Sequence, residues 1–321
     1  VPNQPNSISR ILVAIATYKR KAPLEKLLSS LEKLKLSTLS ANEVTILIVD
    51  NDPDQSAQTV HDTYSETSIY KVQYQWEKRP GVTHVRNTAL EIGLKKGFEF
   101  VAFIDDDEVA HANWLEELLK QQKQDSADAV FGNVISQYEN DTPGWISASK
   151  PHGIELSKPG PTDTPAGVGN SLISLEAIKR TGLIFSEEMS LTGGEDTLFF
   201  YEMHDAGCTL SNAPNAVVDE DVPLNRSSLG WLWKRWYRTG ITDSIIINRH
   251  KSNSSRRIKA LTDGLIRTSI GSVLLGISWV TRLGKTDATI GKRVFTVARG
   301  VGMLSYAFGG TYEEYGSKKA D

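Results

Sequence analysis

Two short, nearly unbroken apolar runs, Ile11 to Ala16 and Val44 to Val49, constrain this chain more than any other feature. A strand with one wet face alternates polar and apolar residues, so a run without alternation reads as a strand covered on both faces. Between the two, leucines at 24, 27, 28, 31 and 34 share one helix face behind Pro23, which suits a first turn. This is a β-α-β unit. The alternation continues with a strand at Val72 to Trp76, a helix at Thr83 to Gly97, a strand at Phe98 to Ile104, a helix at Asn113 to Gln124 and a strand at Ala129 to Val134. It predicts an α/β fold with a mostly parallel sheet flanked by helices.

Ligands of such sheets bind beyond the carboxyl ends of the strands. Phe103-Ile104-Asp105-Asp106-Asp107-Glu108 puts four acids at one such end, and Asp50 follows the second strand. Consecutive like charges repel, and a bound cation would offset that repulsion. Mg²⁺ or Mn²⁺ takes carboxylate oxygens and bridges to phosphate. A solvated acidic loop that caps the helix near Asn113 is the plainer reading. Farther on, Gly193-Gly194-Glu195-Asp196 sets two more carboxylates where a glycine turn enters an apolar helix. A carboxylate there is placed to take a proton from a substrate hydroxyl, or simply to cap the helix.

The 321 residues suffice for one large α/β domain or two smaller ones. A lone Cys208 excludes an internal disulfide and is compatible with a cytoplasmic setting. Residues 1–9 are polar, lack the apolar core of a signal peptide and read as a flexible tail. Charge is unevenly spread. Residues 223–321 hold 17 Lys and Arg against 6 Asp and Glu, a balance of +11, whereas residues 1–222 stand at −14. A basic half suits phosphate groups, of a nucleotide or of an anionic membrane face. No zinc-ligand spacing, basic zipper or RNA-binding aromatic motif speaks for nucleic acid.

Ser136 to Gly169, rich in Pro, Gly, Ser and Thr, reads as a long connection or flap. A short strand at Ser171 to Ile173 and helices at Leu175 to Thr181 and Asp196 to Ala206 follow. Ser228 to Gly310 reads as mostly helical. Within it, Leu265 to Leu283 is apolar but interrupted by Arg267, Ser, Thr and Gly, too polar for a clear membrane span. An interfacial helix, a packed helix and a dimer contact all fit that pattern.

The opening strand with Thr17-Tyr18-Lys19-Arg20, the Val49-Asp50-Asn51 step, Gly81-Val82-Thr83-His84-Val85-Arg86-Asn87, the acidic triplet and Gly-Gly-Glu-Asp recur in one order over residues 10–222. In this the chain resembles the inverting glycosyltransferases of family 2. The resemblance implies a GT-A fold: a catalytic domain over residues 10–222, with a nucleotide-sugar half to about 135 and an acceptor half beyond, then a basic, mainly helical region over 223–321. It implies a nucleoside diphosphate sugar donor and Mn²⁺ or Mg²⁺. On these residues, Asp50 would hold the base with Thr17 and Tyr18 nearby, and Asp105 and Asp106 would lie at the donor. Asp105 and Asp107 would serve the metal, Arg86 the phosphates, and Asp196, with Glu195 second, the general base.

Two departures stand out. Where many members carry a histidine as third metal ligand, this chain has Val217-Val218-Asp219-Glu220-Asp221, so Glu220 or Asp219 is the substitute, unless the stretch is a surface loop. Where processive synthases carry Gln-x-x-Arg-Trp, it has Leu232-Trp233-Lys234-Arg235-Trp236. The missing glutamine favours adding one sugar at a time, with Arg235 and Arg238 as diphosphate clamps or rim residues. Glu220-x-Val222-Pro223, the Trp/Arg-rich helix and Ala298 to Met303 further resemble the glucosyltransferases of succinoglycan-type exopolysaccharide assembly. That implies UDP-glucose and a lipid diphosphate-linked saccharide acceptor at the inner membrane face. A nucleotidyltransferase shares the paired carboxylates but calls for a glycine-rich basic loop after the first strand, which Ala16-Thr17-Tyr18-Lys19 does not supply. A binding protein that has lost catalysis would show damaged acidic motifs, and these are intact.

Overall fold

A computed structural model describes residues 10–189, 193–281 and 288–312. The expected tail, residues 1–9, lies outside them, as do residues 282 and 283 of the apolar segment. The chain divides into two compact units. Unit 1 comprises residues 1–135, 154–190 and 195–220; unit 2 comprises residues 136–153, 191–194 and 221–321.

Unit 1 begins with strand β1 (Ile11–Thr17), helix α1 (Lys21–Leu31), β2 (Val44–Asp50), α2 (Gln58–Ser65), β3 (Lys71–Trp76), α3 (Val82–Lys95) and β4 (Phe100–Asp105). There follow β5 (Glu108–Ala110), α4 (Trp114–Asp125) and β6 (Ala129–Tyr138), whose end runs into unit 2 together with α5 (Gly144–Ser149). Then come β7 (Gly160–Pro161), β8 (Asn170–Ser174), α6 (Leu175–Thr181), α7 (Glu195–Asp205) and β9 (Leu210–Val222). The sheet runs β3-β2-β1-β4-β8-β6-β9-β5, with β7 on β9. The first four strands are parallel, as the alternation predicts, and β8 joins β4 antiparallel.

The apolar runs lack alternation because both faces of β1 are covered. Ile11, Val13 and Ile15 pack with Leu24, Leu27, Leu28 and Leu31 of α1 and with Trp114, Leu115 and Leu118 of α4. Leu12 and Ala14 pack on the other side, with Val85 and Leu90 of α3 and Phe199, Phe200 and Met203 of α7. Burial of each such large side chain favours the fold by about 1.5–3 kcal/mol. Register then sets the height of the polar residues: Thr17 pairs with Asp50 and Ala16 with Asp105, so three strand ends finish level.

The largest departure from the sequence reading is β9. Asn212, Pro214 and Asn215 give it the look of a connection, yet it runs for 13 residues. Its strand character comes from partners remote in sequence, β5, β6 and β7. The surface-loop reading of Asp219 and Glu220 is therefore corrected: both sit in a paired strand, Glu220 opposite Glu108. The supposed flap is also structured in part, holding α5, β7 and a bridge from Ile154 to Val134.

Unit 2 is built on α8 (Leu229–Ile246), α9 (Asn253–Thr281) and α10 (Ala288–Ala307). Ile146, Leu232, Trp236 and Ala298 form its small core. The helices approach closely through glycine: a Cβ on Gly240 would stand 2.0 Å from the Arg299 carbonyl oxygen, and one on Gly302 2.0 Å from that of Tyr237. Asp243 of α8 accepts from Arg299 Nε of α10 at 2.5 Å. By length and composition α9 could cross a membrane. Its buried residues are small, Ala260, Gly264 and Gly271, whereas Ile266, Ile270, Val273, Ile277 and Val280 are exposed.

Candidate active site

At the end of β4 three adjacent aspartates take different surroundings. Asp106 is buried and accepts from Thr17 Oγ1 at 2.8 Å and Arg20 Nη1 at 2.9 Å. Burial pushes its carboxyl up to about 6 even though Arg20 opposes the shift. Asp107 lies 2.7 Å from the same Arg20 nitrogen. Asp105 keeps 44% of its side chain accessible. Desolvation holds its pKa above the ordinary carboxylate range; Arg86, 3.8 Å away, opposes this, while Asp107 and Asp196 add to it.

Glu108, the last of the four acids, belongs to the same cluster. It is buried, and its Oε2 accepts the Asp105 N–H at 3.0 Å. Burial first, then the negative charge of Asp105 and of Glu220, raise its pKa well above normal. Gly169 makes the cluster possible: a Cβ there would sit 2.7 Å from Asp105 Oδ2 and 3.0 Å from Glu108 Oε1. The Gly167-Val168-Gly169 spacing was the signal in the sequence that a backbone passes close to something here.

Helix α7 brings the second acidic pair to the same end of unit 1. Glu195 is buried and paired with the buried Arg86. Arg86 thus joins α7 to the β4 end, and its guanidinium lies 5.8 Å from the Phe185 ring centroid. Asp196 is half-buried, accepts from the Thr197 N–H at 2.7 Å, and has its Oδ2 at 3.8 Å from where a Gly167 Cβ would be. With Glu195 held by Arg86, Asp196 is the better placed of the two to meet a ligand. Arg20, which holds Asp106 and Asp107, is a site residue that the sequence motifs do not mark as one.

Of the residues expected at a donor, Tyr18 is 54% exposed at the end of β1 with Lys19 Nζ 5.6 Å from its ring centroid. Thr17 is buried and spends its hydroxyl on Asp106. Asp50 is placed differently from the expectation. It is fully buried, its Oδ1 accepting from Asp52 N at 2.9 Å and its Oδ2 from Ala57 N at 2.8 Å and Tyr74 Oη at 3.0 Å. Asp50 shapes the loop after β2 from beneath and has no exposed oxygen for a base. Asn51 ties that loop to the next: its Nδ2 donates to the carbonyls of Glu77 and Arg79, and its Oδ1 accepts from Gly81 N. Glu77 anchors the far side, accepting from Arg79 and Thr88, and its carboxyl is held down to about 2, mainly by the Arg79 hydrogen bond.

Arg235 and Arg238 belong to unit 2. Arg235 lies 5.4 Å from the Trp231 ring centroid, and Arg238 packs so tightly on the turn at Gly193 that a Cβ there would meet its Nη1 at 2.7 Å. Among the described residues no three His, Cys, Asp or Glu side chains close into a ready-made metal cage. The oxygen-rich β4 end nevertheless has the donor chemistry of Mg²⁺ or Mn²⁺, ions that draw much of their coordination from substrate phosphate and water.

Comparison with known proteins agrees with this geometry. Over 242 residues, 74% of this chain and 75% of the relative, the sequence is 31% identical to succinoglycan biosynthesis protein ExoM of Rhizobium meliloti (strain 1021). The fold is like that of S. aureus TarS 1-349, including its complex with UDP, at TM-score 0.52 and 17% identity over 94% of this chain and 93% of that one. Against a longer TarS structure, also at TM-score 0.52, it spans 41% of that chain. Residues 12–182, which include β1, the loop after β2, the Arg86 helix and the whole acidic end of β4, match the glycosyl transferase family 2 profile, and the chain belongs to that family of glycosyltransferases.

Proposed function

We propose that the chain is a metal-dependent, inverting glycosyltransferase that moves one sugar, glucose, from a UDP-linked donor to a hydroxyl of a saccharide acceptor. The observation that carries this reading is that Arg86 stands between two acidic elements, 3.8 Å from Asp105 at the end of β4 and paired with Glu195, the neighbour of Asp196, at the start of α7. One set suits a donor diphosphate, the other an acceptor hydroxyl.

Asp105 and Asp107 would hold Mn²⁺ or Mg²⁺, with Glu220 behind them across β5. The ion supplies positive charge to the departing diphosphate. Tyr18 offers an exposed ring to the nucleotide, and the loop organised by Asp50 and Asn51 frames it. Arg86 pairs with Glu195 and fixes it in place, leaving Asp196 to take the acceptor proton. The acceptor oxygen attacks the anomeric carbon as the bond to the diphosphate oxygen breaks, the proton ends on Asp196, and configuration at the anomeric carbon inverts.

The likeness to succinoglycan biosynthesis protein ExoM supports an acceptor of the exopolysaccharide class; the proposal adds that this acceptor is linked to a lipid diphosphate at the inner face of the cell membrane. Titration calorimetry with a panel of nucleotide sugars, with and without Mn²⁺, tests the reading. UDP-glucose binding that requires the metal is expected; no nucleotide-sugar binding under any condition overturns it.

A further inference from the structure

We propose that the outward face of α9 docks in the plane of an anionic lipid bilayer. This adds to the transferase reading the surface by which the protein meets a membrane, and it rests on unit 2 alone. Ile266, Ile270, Val273, Ile277 and Val280 recur every three or four residues and are each more than half exposed, with Leu265 and Trp279 at the flanks. From Leu265 to Val280 the stripe extends about 22 Å. Soluble proteins seldom leave so continuous an apolar band in water.

Charge identifies the occupant. Residues 253–307 carry nine Lys and Arg against two Asp. Arg257 is exposed near the start of α9 and Lys292 near that of α10. Between Asp263 and Thr281 the only charge is Arg267, which lies about 100° around the helix from the stripe, toward the packed face, and is half-buried. An apolar band with a basic surround matches acyl chains beneath anionic headgroups. A second copy fits less well, because a two-fold contact would bring two basic segments together.

The packing favours lying on the bilayer over crossing it. The inner side of α9 is held to α10 at Gly264, where a Cβ would stand 2.9 Å from the Gly300 carbonyl oxygen, and at Gly271 against Val297. Helix α10 brings Lys292, Arg293 and Arg299, the last paired with Asp243. A spanning α9 would draw these charges toward hydrocarbon, where they are costly.

Vesicle flotation decides the point, with phosphatidylcholine vesicles and with phosphatidylcholine–phosphatidylglycerol vesicles. The full chain is expected to float with the anionic vesicles and to be released partly by high salt. An Ile270→Asp/Ile277→Asp variant is expected to lose at least about tenfold in partitioning while keeping its melting temperature and its UDP-glucose binding. Arg257→Glu is expected to weaken flotation less. Failure of the full chain to float, or flotation of the double variant at the wild-type level, overturns the proposal. So does a dimer in sedimentation that the double substitution dissociates. Nucleotide-sugar binding on the same preparations reports separately on the transferase reading.

Discussion

The two units solve opposite problems at their surfaces. In unit 1 the apolar runs vanish between two helix layers, and what remains at the strand ends is negative: Asp105, Asp107 and Asp196, with Glu108 and Asp106 beneath. In unit 2 glycines let the helices approach so closely that their small residues form the contact, and the bulky apolar side chains of α9 are left outside. Clustered carboxylates call for a cation and phosphate, whereas exposed hydrocarbon calls for lipid. The comparison teaches that each region's ligand chemistry follows from what its packing could not cover.

The largest effect is expected where unit 1 performs chemistry. Asp196→Asn should lower transfer by about three orders of magnitude while leaving UDP-glucose binding within a few fold, measured by UDP release and calorimetry. Normal turnover would move the base elsewhere. Asp107→Asn should instead weaken metal-dependent donor binding by about two orders of magnitude, and chelation of the metal should do the same to the wild type. Equal donor affinity in that variant would detach the charge cluster from the donor.

A smaller effect probes the turn on which Arg238 and α8 rest. Gly194 has φ +91, and a Cβ there would lie 2.3 Å from Thr242 Cγ2. Gly194→Ala should cost about 2–3 kcal/mol in chemical denaturation and reduce turnover, because Asp196 follows two residues later. An unchanged melting curve would show that the turn is not held as described.

The smallest effect separates the units by acid. His152 in unit 2 is buried against Trp231 and has its pKa lowered to about 4, first by desolvation and then by Arg235 and Arg226. The unfolded chain binds the extra proton between about 6.5 and 4, so unit 2 should lose stability as pH falls through that window. Glu77 in unit 1 has its pKa depressed to about 2, so its contribution is present above about 4.5 and is lost only below. Acid titration followed by hydrogen exchange should open unit 2 first. His152→Gln should flatten the upper window and Glu77→Gln the lower; simultaneous opening of both units would break the distinction.

Much of unit 1 was legible because its signals are local. Non-alternating runs gave β1, β2 and β4 within a residue or two, and leucine spacing gave α1. Strand β9 was not, because its composition resembles a loop and its pairing partners are far away in the chain. The same limit applied to the carboxylates. Asp50 and Asp105 both end strands, yet only the loop after β2, folding back through Asp52 and Ala57, consumes one of them as an internal anchor. Glu108 takes its buried place in the cluster because Gly169 and β9 close over it.

By itself the sequence determined the α/β class, the parallel half of the sheet, the order of the acidic motifs and the charge contrast between the two halves, since periodicity and composition are properties of neighbours along the chain. The tertiary structure alone decided which carboxylates are buried and which face outward, that Arg86 neutralises Glu195 rather than Asp196, and which side of α9 is left open. Those depend on what stands within a few ångströms, and proximity across the chain is set by packing.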